Sequence, residues 1–194
     1  MIKNIIIAGV GGQGILTLAA IIDQAAMDMS LYIKQAEVHG MSQRGGAVQS
    51  HLRISDKEIY SDLIPVGMAD LILSLEPMEC LRYLPYLSDK GAVVTALKPV
   101  KNIPDYPDES LIINAIKNSG FQSRFVDAED LARKAGNIKS ANVVMIGAAS
   151  EFVGLGTVNL EQSITKMFSK KSEEIISLNI KAFRLGLEMT GLKN

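Results

Sequence analysis

The chain has 194 residues, 47% of them hydrophobic and 21% charged, with a formal net charge of −1. That length is one domain's worth and buries roughly 70% of the unfolded surface, and a near-neutral chain with no Lys/Arg block excludes nucleic acid as the main partner. Cys80 is the one cysteine, which rules out an internal disulfide, an iron–sulfur cluster held by this chain alone and a cysteine-rich zinc site.

The first predicted strand is Lys3–Ala8, an Ile-rich apolar run of the kind buried on both faces. Met1 leads almost directly into it, so no signal peptide is expected; no apolar run reaches membrane length, and the expected location is the cytoplasm. The strand enters Gly9-Val-Gly-Gly-Gln-Gly14, in which Gly9, Gly11 and Gly14 fit G-x-G-x-x-G. In that pattern Gly9 allows a tight turn, Gly11 lets backbone approach a ligand and Gly14 lets the helix pack on the strand. A helix starting there offers free N–H groups and a positive dipole end to a phosphate or carboxylate. Gly12 and Gln13 complete the candidate anion-binding turn. Packing alone is the other explanation of the same glycines.

Helical spacing of Ile15, Leu18, Ile22, Ala25 and Met29 predicts a helix over 13–29, and Leu31–Lys34 a short second strand. The stretch 36–46 reads as a polar loop. Alternation over Ala47–Ile54 predicts a strand with one wetter face, turned by 55–58 into a hairpin with Ile59–Tyr60. A further buried strand covers Asp70–Leu75, and Pro77 suits the first turn of a helix reaching Leu84. Gly91–Thr95 is another strand, and 97–109, with three prolines, a connecting loop. Then come helix 110–118, strand 121–126, helix 127–135 and a helical end over 140–155, 160–168 and 171–189. The expected fold is α/β: three layers, a mostly parallel Rossmann-like sheet with a hairpin, and a helical C-terminal end.

The loop Ala36-Glu-Val-His-Gly-Met-Ser-Gln-Arg-Gly-Gly46 concentrates imidazole, hydroxyl, amide and guanidinium groups among glycines. In an open α/β sheet ligands bind at the carboxyl ends of strands, where this loop and the glycine turn are expected to meet. Arg44 suits bidentate pairing with phosphate or carboxylate, and Gly45-Gly46 lets backbone N–H groups join it. Ser42 and Gln43 add neutral donors. His39 and Arg44 are the candidate catalytic groups, His39 because imidazole moves protons near neutral pH. A solvated Arg44 beside a Gly45-Gly46 bulge is the competing explanation. No metal site is expected: His39 has no second ligand at metal spacing. His51 is read as a surface or cross-strand residue, and Cys80 as a packed side chain. On the last helix, Ile176, Ile180, Phe183 and Leu187 form one apolar stripe; Leu178, Ala182, Leu185 and Met189 form another. Two stripes imply a helix covered on both sides, by its own chain or by a partner subunit.

A dinucleotide site calls for an acidic residue about 20 positions beyond the glycines. Lys34 and Gln35 stand there instead. A free-standing NAD(P)-binding oxidoreductase is therefore the alternative rather than the leading reading.

Taken together, the glycine turn, the His39-Gly-Met-Ser-Gln-Arg-Gly-Gly46 stretch, Ser74–Pro77, Asn142–Gly147 and Asn179–Gly186 resemble the gamma-type subunit or domain of 2-oxoacid:ferredoxin oxidoreductases. Within that family the small (beta) subunit of the indolepyruvate enzymes is the nearest match. The resemblance spans residues 1–194 as one gamma-type domain. It implies CoA-dependent oxidative decarboxylation of an aryl 2-oxoacid to acyl-CoA, with electrons passing to ferredoxin. Thiamine diphosphate, magnesium and iron–sulfur clusters would sit on a larger partner subunit, this chain being inactive alone, with coenzyme A as a possible contact. Relatives of the resemblance act on pyruvate or 2-oxoglutarate, and an assembly subunit is a further alternative. Gly11–Gly14 with Ser42–Arg44 would then bind the phosphates of coenzyme A, close over the thiamine site, or contact the partner.

Overall fold

The computed structural model describes residues 2–40, 45–101 and 103–191. Among the described residues six strands form one sheet: β1 (Ile2–Val10), β2 (Tyr32–His39), β3 (Ala47–Ser55), β4 (Ala69–Ser74), β5 (Leu87–Ala96) and β6 (Gln122–Val126), in the order β2-β3-β1-β4-β5-β6. β1, β4, β5 and β6 run parallel, whereas β3 lies antiparallel between β1 and β2. The alternating pattern of β3 is thus explained, but its hairpin partner is β2, not Ile59–Tyr60. Residues 56–68 form no strand. They cross one sheet face, where the Ile64 N–H donates to His51 Nδ1 at 3.0 Å and Arg53 donates to the carbonyls of Ser61 and Leu63.

Among the described residues seven α-helices pack in layers about the sheet: α1 (Ile15–Asp28), α2 (Pro77–Tyr83), α3 (Glu109–Lys117), α4 (Ala128–Ala135), α5 (Ala141–Val153), α6 (Thr157–Met167) and α7 (Glu173–Glu188). The consecutive isoleucines of β1 serve two cores at once. Ile5 and Ile7 face a core shared with α1, α4, α5 and α6; Ile6 and Ala8 face a smaller one with α2 and α3. Burial on both faces is why β1 and β4 read as uninterrupted apolar runs. Cys80 belongs to the second core, and burial pushes its thiol up to about 12, so it is an inert packed side chain. His51 is buried rather than on the surface: it pairs with Ile6 and Ala36 across β1 and β2 and meets Tyr86 edge-on. Its ring accepts from Ile64, and burial holds its pKa below the usual histidine range.

α7 does not touch the sheet as a principal neighbour; it packs outside α5, with α4 and α6 at its flanks. Its buried face is Asn179, Ala182, Phe183, Gly186 and Leu187, which lies between the two predicted stripes. Phe183 and Leu187 of one stripe and Ala182 of the other are buried against the same chain, Ile176, Leu178, Ile180 and Leu185 are half-buried, and Met189 is exposed. The approach to α5 is unusually close. A Cβ on Gly147 would lie 2.0 Å from the Phe183 carbonyl oxygen, and one on Gly186 2.0 Å from that of Val144. Two glycines, one per helix, let the backbones touch.

Candidate functional site

The turn after β1 is held by its own glutamine. Gln13 Oε1 accepts from the Val10 N–H at 2.8 Å, and Nε2 donates to the Leu75 carbonyl at 2.7 Å. One side chain thus joins the ends of β1 and β4. Gly9 lies within β1 and makes room for this amide: a Cβ there would sit 2.7 Å from Gln13 Oε1. The turn's left-handed residues are Gly12 (φ 100°) and Gly14 (φ 80°), so Gly9 is needed for space, not for the turn. Gly14 caps α1, and its missing Cβ admits Asn142, whose Nδ2 donates to the Gly14 carbonyl at 3.1 Å. The third glycine therefore docks α5 rather than packing α1 on the strand.

The hairpin loop and the glycine turn do meet. The Gly11 N–H donates to the Gly46 carbonyl at 2.8 Å, and the Gly45 N–H to the Gly11 carbonyl at 3.3 Å. Ser42, Gln43 and Arg44 lie outside the described residues. The loop is shorter than expected because Ala36–His39 continue β2. His39 ends that strand half exposed, with Nε2 3.3 Å from Glu37 Oε2. The other Glu37 oxygen accepts from Gln35 at 2.8 Å. Beneath them Asp23 of α1 has one carboxyl oxygen buried with no hydrogen-bond partner among the described residues. Burial first, and the Glu37 charge second, raise its pKa to about 7. His39 is thus oriented by a carboxylate whose neighbour holds a proton near neutral pH.

Two cavities flank the glycine turn. The larger, about 710 Å³, opens at the carboxyl ends of β1, β4 and β5, where the N-termini of α1, α4 and α5 converge. The other, about 660 Å³, lies between the turn and the hairpin, with His39 and Gly40 on its far wall. Gly12, Gly14 and Thr17 border both. β1 leads to β2 on one side of the sheet while β4 and β5 extend the other, so the turn stands at a topological switch point, the usual ligand crevice of open α/β sheets. Gly11 borders the smaller cavity and Gln13 the larger; Gly9 borders neither. Sequence reasoning missed Lys98, Lys139, Ser140, Asn142 and Lys171, all on the larger cavity. Asn142 opens the Asn142–Gly147 stretch of the resemblance, but nothing local tied it or the others to the site beyond a helix start near residue 140.

The antiparallel β3 also bears on the dinucleotide alternative. In a dinucleotide fold the second strand adjoins the first, so its acidic end reaches the ribose. Here β3 separates them, setting β2 about 10 Å from β1. Glu37 is held by Gln35 and His39 at that remote edge.

The pattern of the pyruvate ferredoxin/flavodoxin oxidoreductase family matches residues 4–189. The chain belongs to this family. Among its relatives within the family is the indolepyruvate oxidoreductase subunit IorB of Methanothermobacter thermautotrophicus, 38% identical over 94% of this chain and 95% of the relative. The gamma subunit of a keto/oxoacid ferredoxin oxidoreductase from Geobacter sulfurreducens superimposes with a TM-score of 0.71 at 25% identity, over 98% of this chain and 99% of that one. A 2-oxoglutarate:ferredoxin oxidoreductase from Magnetococcus marinus, with 2-oxoglutarate, coenzyme A and succinyl-CoA bound, shares the fold at a TM-score of 0.78 and 22% identity. The match takes in 99% of this chain but only 32% of that larger one.

Proposed function

We propose that this chain is the small subunit of an indolepyruvate:ferredoxin oxidoreductase. The assembled enzyme converts an aryl 2-oxoacid and coenzyme A to acyl-CoA and carbon dioxide and passes two electrons to ferredoxin. The observation that carries the site is the hydrogen-bonded junction of the glycine turn with the hairpin loop at Gly11, Gly45 and Gly46. It sets two anion-suited segments side by side, with His39 and its Glu37 partner on the wall. The kinship to IorB supports the substrate, and the coenzyme A in the Magnetococcus relative supports the co-substrate.

The donor set of this chain does not fit the redox centres. A cluster takes several cysteine thiolates, and Cys80 is the one cysteine and is buried. The clusters accordingly belong to a larger partner subunit, and thiamine diphosphate with its magnesium is assigned to that subunit by the kinship to the family. The local role of this chain is to hold phosphate oxygens with the backbone N–H groups of Gly12 and Gly14, those of Gly11 and Gln13 being taken by the Gly46 and Val10 carbonyls, and with Ser42, Gln43 and Arg44. A hydrogen bond to a charged group contributes about 1.5–3 kcal/mol.

Anaerobic dye reduction by the chain co-expressed with its partner tests the reading, comparing indolepyruvate, pyruvate and 2-oxoglutarate with and without coenzyme A. Reduction is expected to need both subunits, coenzyme A and indolepyruvate. In the same complex Arg44→Ala should raise the apparent KM for coenzyme A about tenfold or more while assembly persists. Unchanged coenzyme A kinetics in the assembled variant would remove the phosphate role.

A further inference from the structure

The smaller cavity has one ionisable side chain among its described lining residues, His39. Glycine backbone, the Thr17 hydroxyl and apolar side chains such as Ile15 and Leu16 make up the rest of its wall. The imidazole is not left to itself. Its Nε2 lies 3.3 Å from Glu37 Oε2, and because an ionised carboxylate only accepts, the ring carries its proton on Nε2. No hydrogen bond joins Nδ1 to another described residue, which leaves that nitrogen as an acceptor.

Glu37 is fixed in turn. Gln35 Nε2 donates to Glu37 Oε1 at 2.8 Å and to Ser50 Oγ of β3 at 2.9 Å, so two strands brace the carboxylate. Behind it stands a second carboxyl, Asp23 of α1, with one oxygen buried and unpartnered among the described residues. Among those residues no lysine or arginine pairs with either carboxyl. Lys34 of β2 is three positions from Glu37 and so on the opposite face of the sheet, where it lies across from Arg53. Lys166 of α6 is taken by Asp28 at 2.6 Å. The carboxylate of α5, Glu151, is held by Arg124, and β3 and β1 turn the neutral Ser50 and the apolar Ile5 and Ile7 to this side.

A thiol is ordinarily about a hundredfold weaker as an acid than an imidazolium, so an unassisted imidazole takes its proton poorly. A fixed carboxylate behind the ring stabilises the imidazolium and keeps the acceptor nitrogen in place, the logic of base pairs at acyl-transfer sites. Burial, and after it the Glu37 charge, push the Asp23 carboxyl up to about 7. Its ionisation adds a second negative charge behind the ring, so imidazolium formation is favoured more above that pH than below it.

We infer that Glu37 and Asp23 are positioning residues for His39, which takes the proton of a thiol bound in the smaller cavity. The inference rests on the function proposed above, in which the coenzyme A thiol receives the acyl group. The S–H bond breaks, its electron pair stays on sulfur as the thiolate, and the proton forms the Nδ1–H bond. Glu37 balances the charge this leaves on the ring.

Nitrogen-15 NMR of the histidine rings in the full chain tests the geometry apart from activity. His39 is expected as the Nε2–H tautomer, and Glu37→Gln should let the other tautomer appear. His51, the chain's other histidine, is the control: its Nδ1 accepts from Ile64, so its signals should ignore the substitution. In the complex with the partner subunit, Glu37→Gln should lower kcat about a hundredfold at unchanged KM for coenzyme A, and Glu37→Asp should recover part of the loss. Asp23→Asn should flatten the rise of kcat through pH 7. An unmodified complex that does not turn over coenzyme A would overturn the proposed function and the thiol step with it. Turnover in that complex with kcat indifferent to Glu37→Gln, or His39 signals indifferent to it, would overturn this inference alone.

Discussion

Replacing Gly186 with alanine tests whether α5 and α7 must touch at backbone distance. The new Cβ would lie 2.0 Å from the Val144 carbonyl oxygen and 3.0 Å from the Ala148 nitrogen. Carbon–oxygen contact normally begins at about 3.3 Å, and both obstacles are helix backbone that cannot rotate away. The helices must separate by roughly 1 Å, a gap that forfeits a quarter to a half of each dispersion contact across the interface. Phe183, Ala182 and Leu187 are all buried there. Alanine contributes about 1 kcal/mol of helix propensity over glycine, while overpacking against an immovable neighbour costs at the upper end of about 1–3 kcal/mol or more. The packing cost wins, and a net loss of about 2 kcal/mol or more is expected. Urea unfolding followed by far-UV circular dichroism measures it. Gly67→Ala is the comparator: φ is 77° and nothing lies within 4 Å of the added carbon, so it isolates backbone strain of about 1–2 kcal/mol. Gly147→Ala combined with Gly186→Ala should cost less than the sum, since helices already parted accept the second methyl. A Gly186→Ala protein within about 0.5 kcal/mol of the unmodified chain would refute the contact argument.

Burial, and after it the Glu37 charge, push the Asp23 carboxyl up to about 7 from its ordinary 3.8. Between those values the folded state holds a proton that the unfolded chain has released, so stability falls as pH rises from about 4 and the loss is complete above about 7. Asp23→Asn should flatten this slope and raise stability at pH 8 by about 2–4 kcal/mol, read from unfolding curves at pH 5 and pH 8; equal slopes would disprove the burial assignment. Gln13→Ala removes both hydrogen bonds that tie β1 to β4. It should cost about 1–3 kcal/mol and speed amide exchange at Val10, whereas unaltered exchange there would contradict the clamp.

Most elements were legible because their signals are local. The Ile run of β1, the Pro77 start of α2 and the helical spacing of α1 and α7 each lie within one segment. Even where assignments shifted, the cause was pairing beyond that segment. Ala36–His39 carry polar and glycine-adjacent residues that read as loop, yet β3 supplies a full ladder of partners and draws them into β2. Val48, Leu52 and Ile54 of β3 correctly marked one buried face, but His51 on the other was not recognisable as buried. The segment that covers it, 56–68, has no periodicity of its own, and Tyr86 arrives from 35 residues away.

By itself, the sequence determined the alternation of strands and helices, the position of the glycine turn and the family-like pairing of that turn with the 39–46 stretch. These depend on side-chain periodicity and on glycines at fixed spacing, both properties of neighbouring residues. Only the tertiary structure decided that β3 stands between β1 and β2, that Gly9 and Gly14 make room for Gln13 and Asn142, and that Ser140, Lys139 and Lys171 share a cavity with Gly12. Gly14 and Asn142 are 128 positions apart. Contacts at such separation follow from which faces the packed layers bury together, and no local pattern encodes that choice.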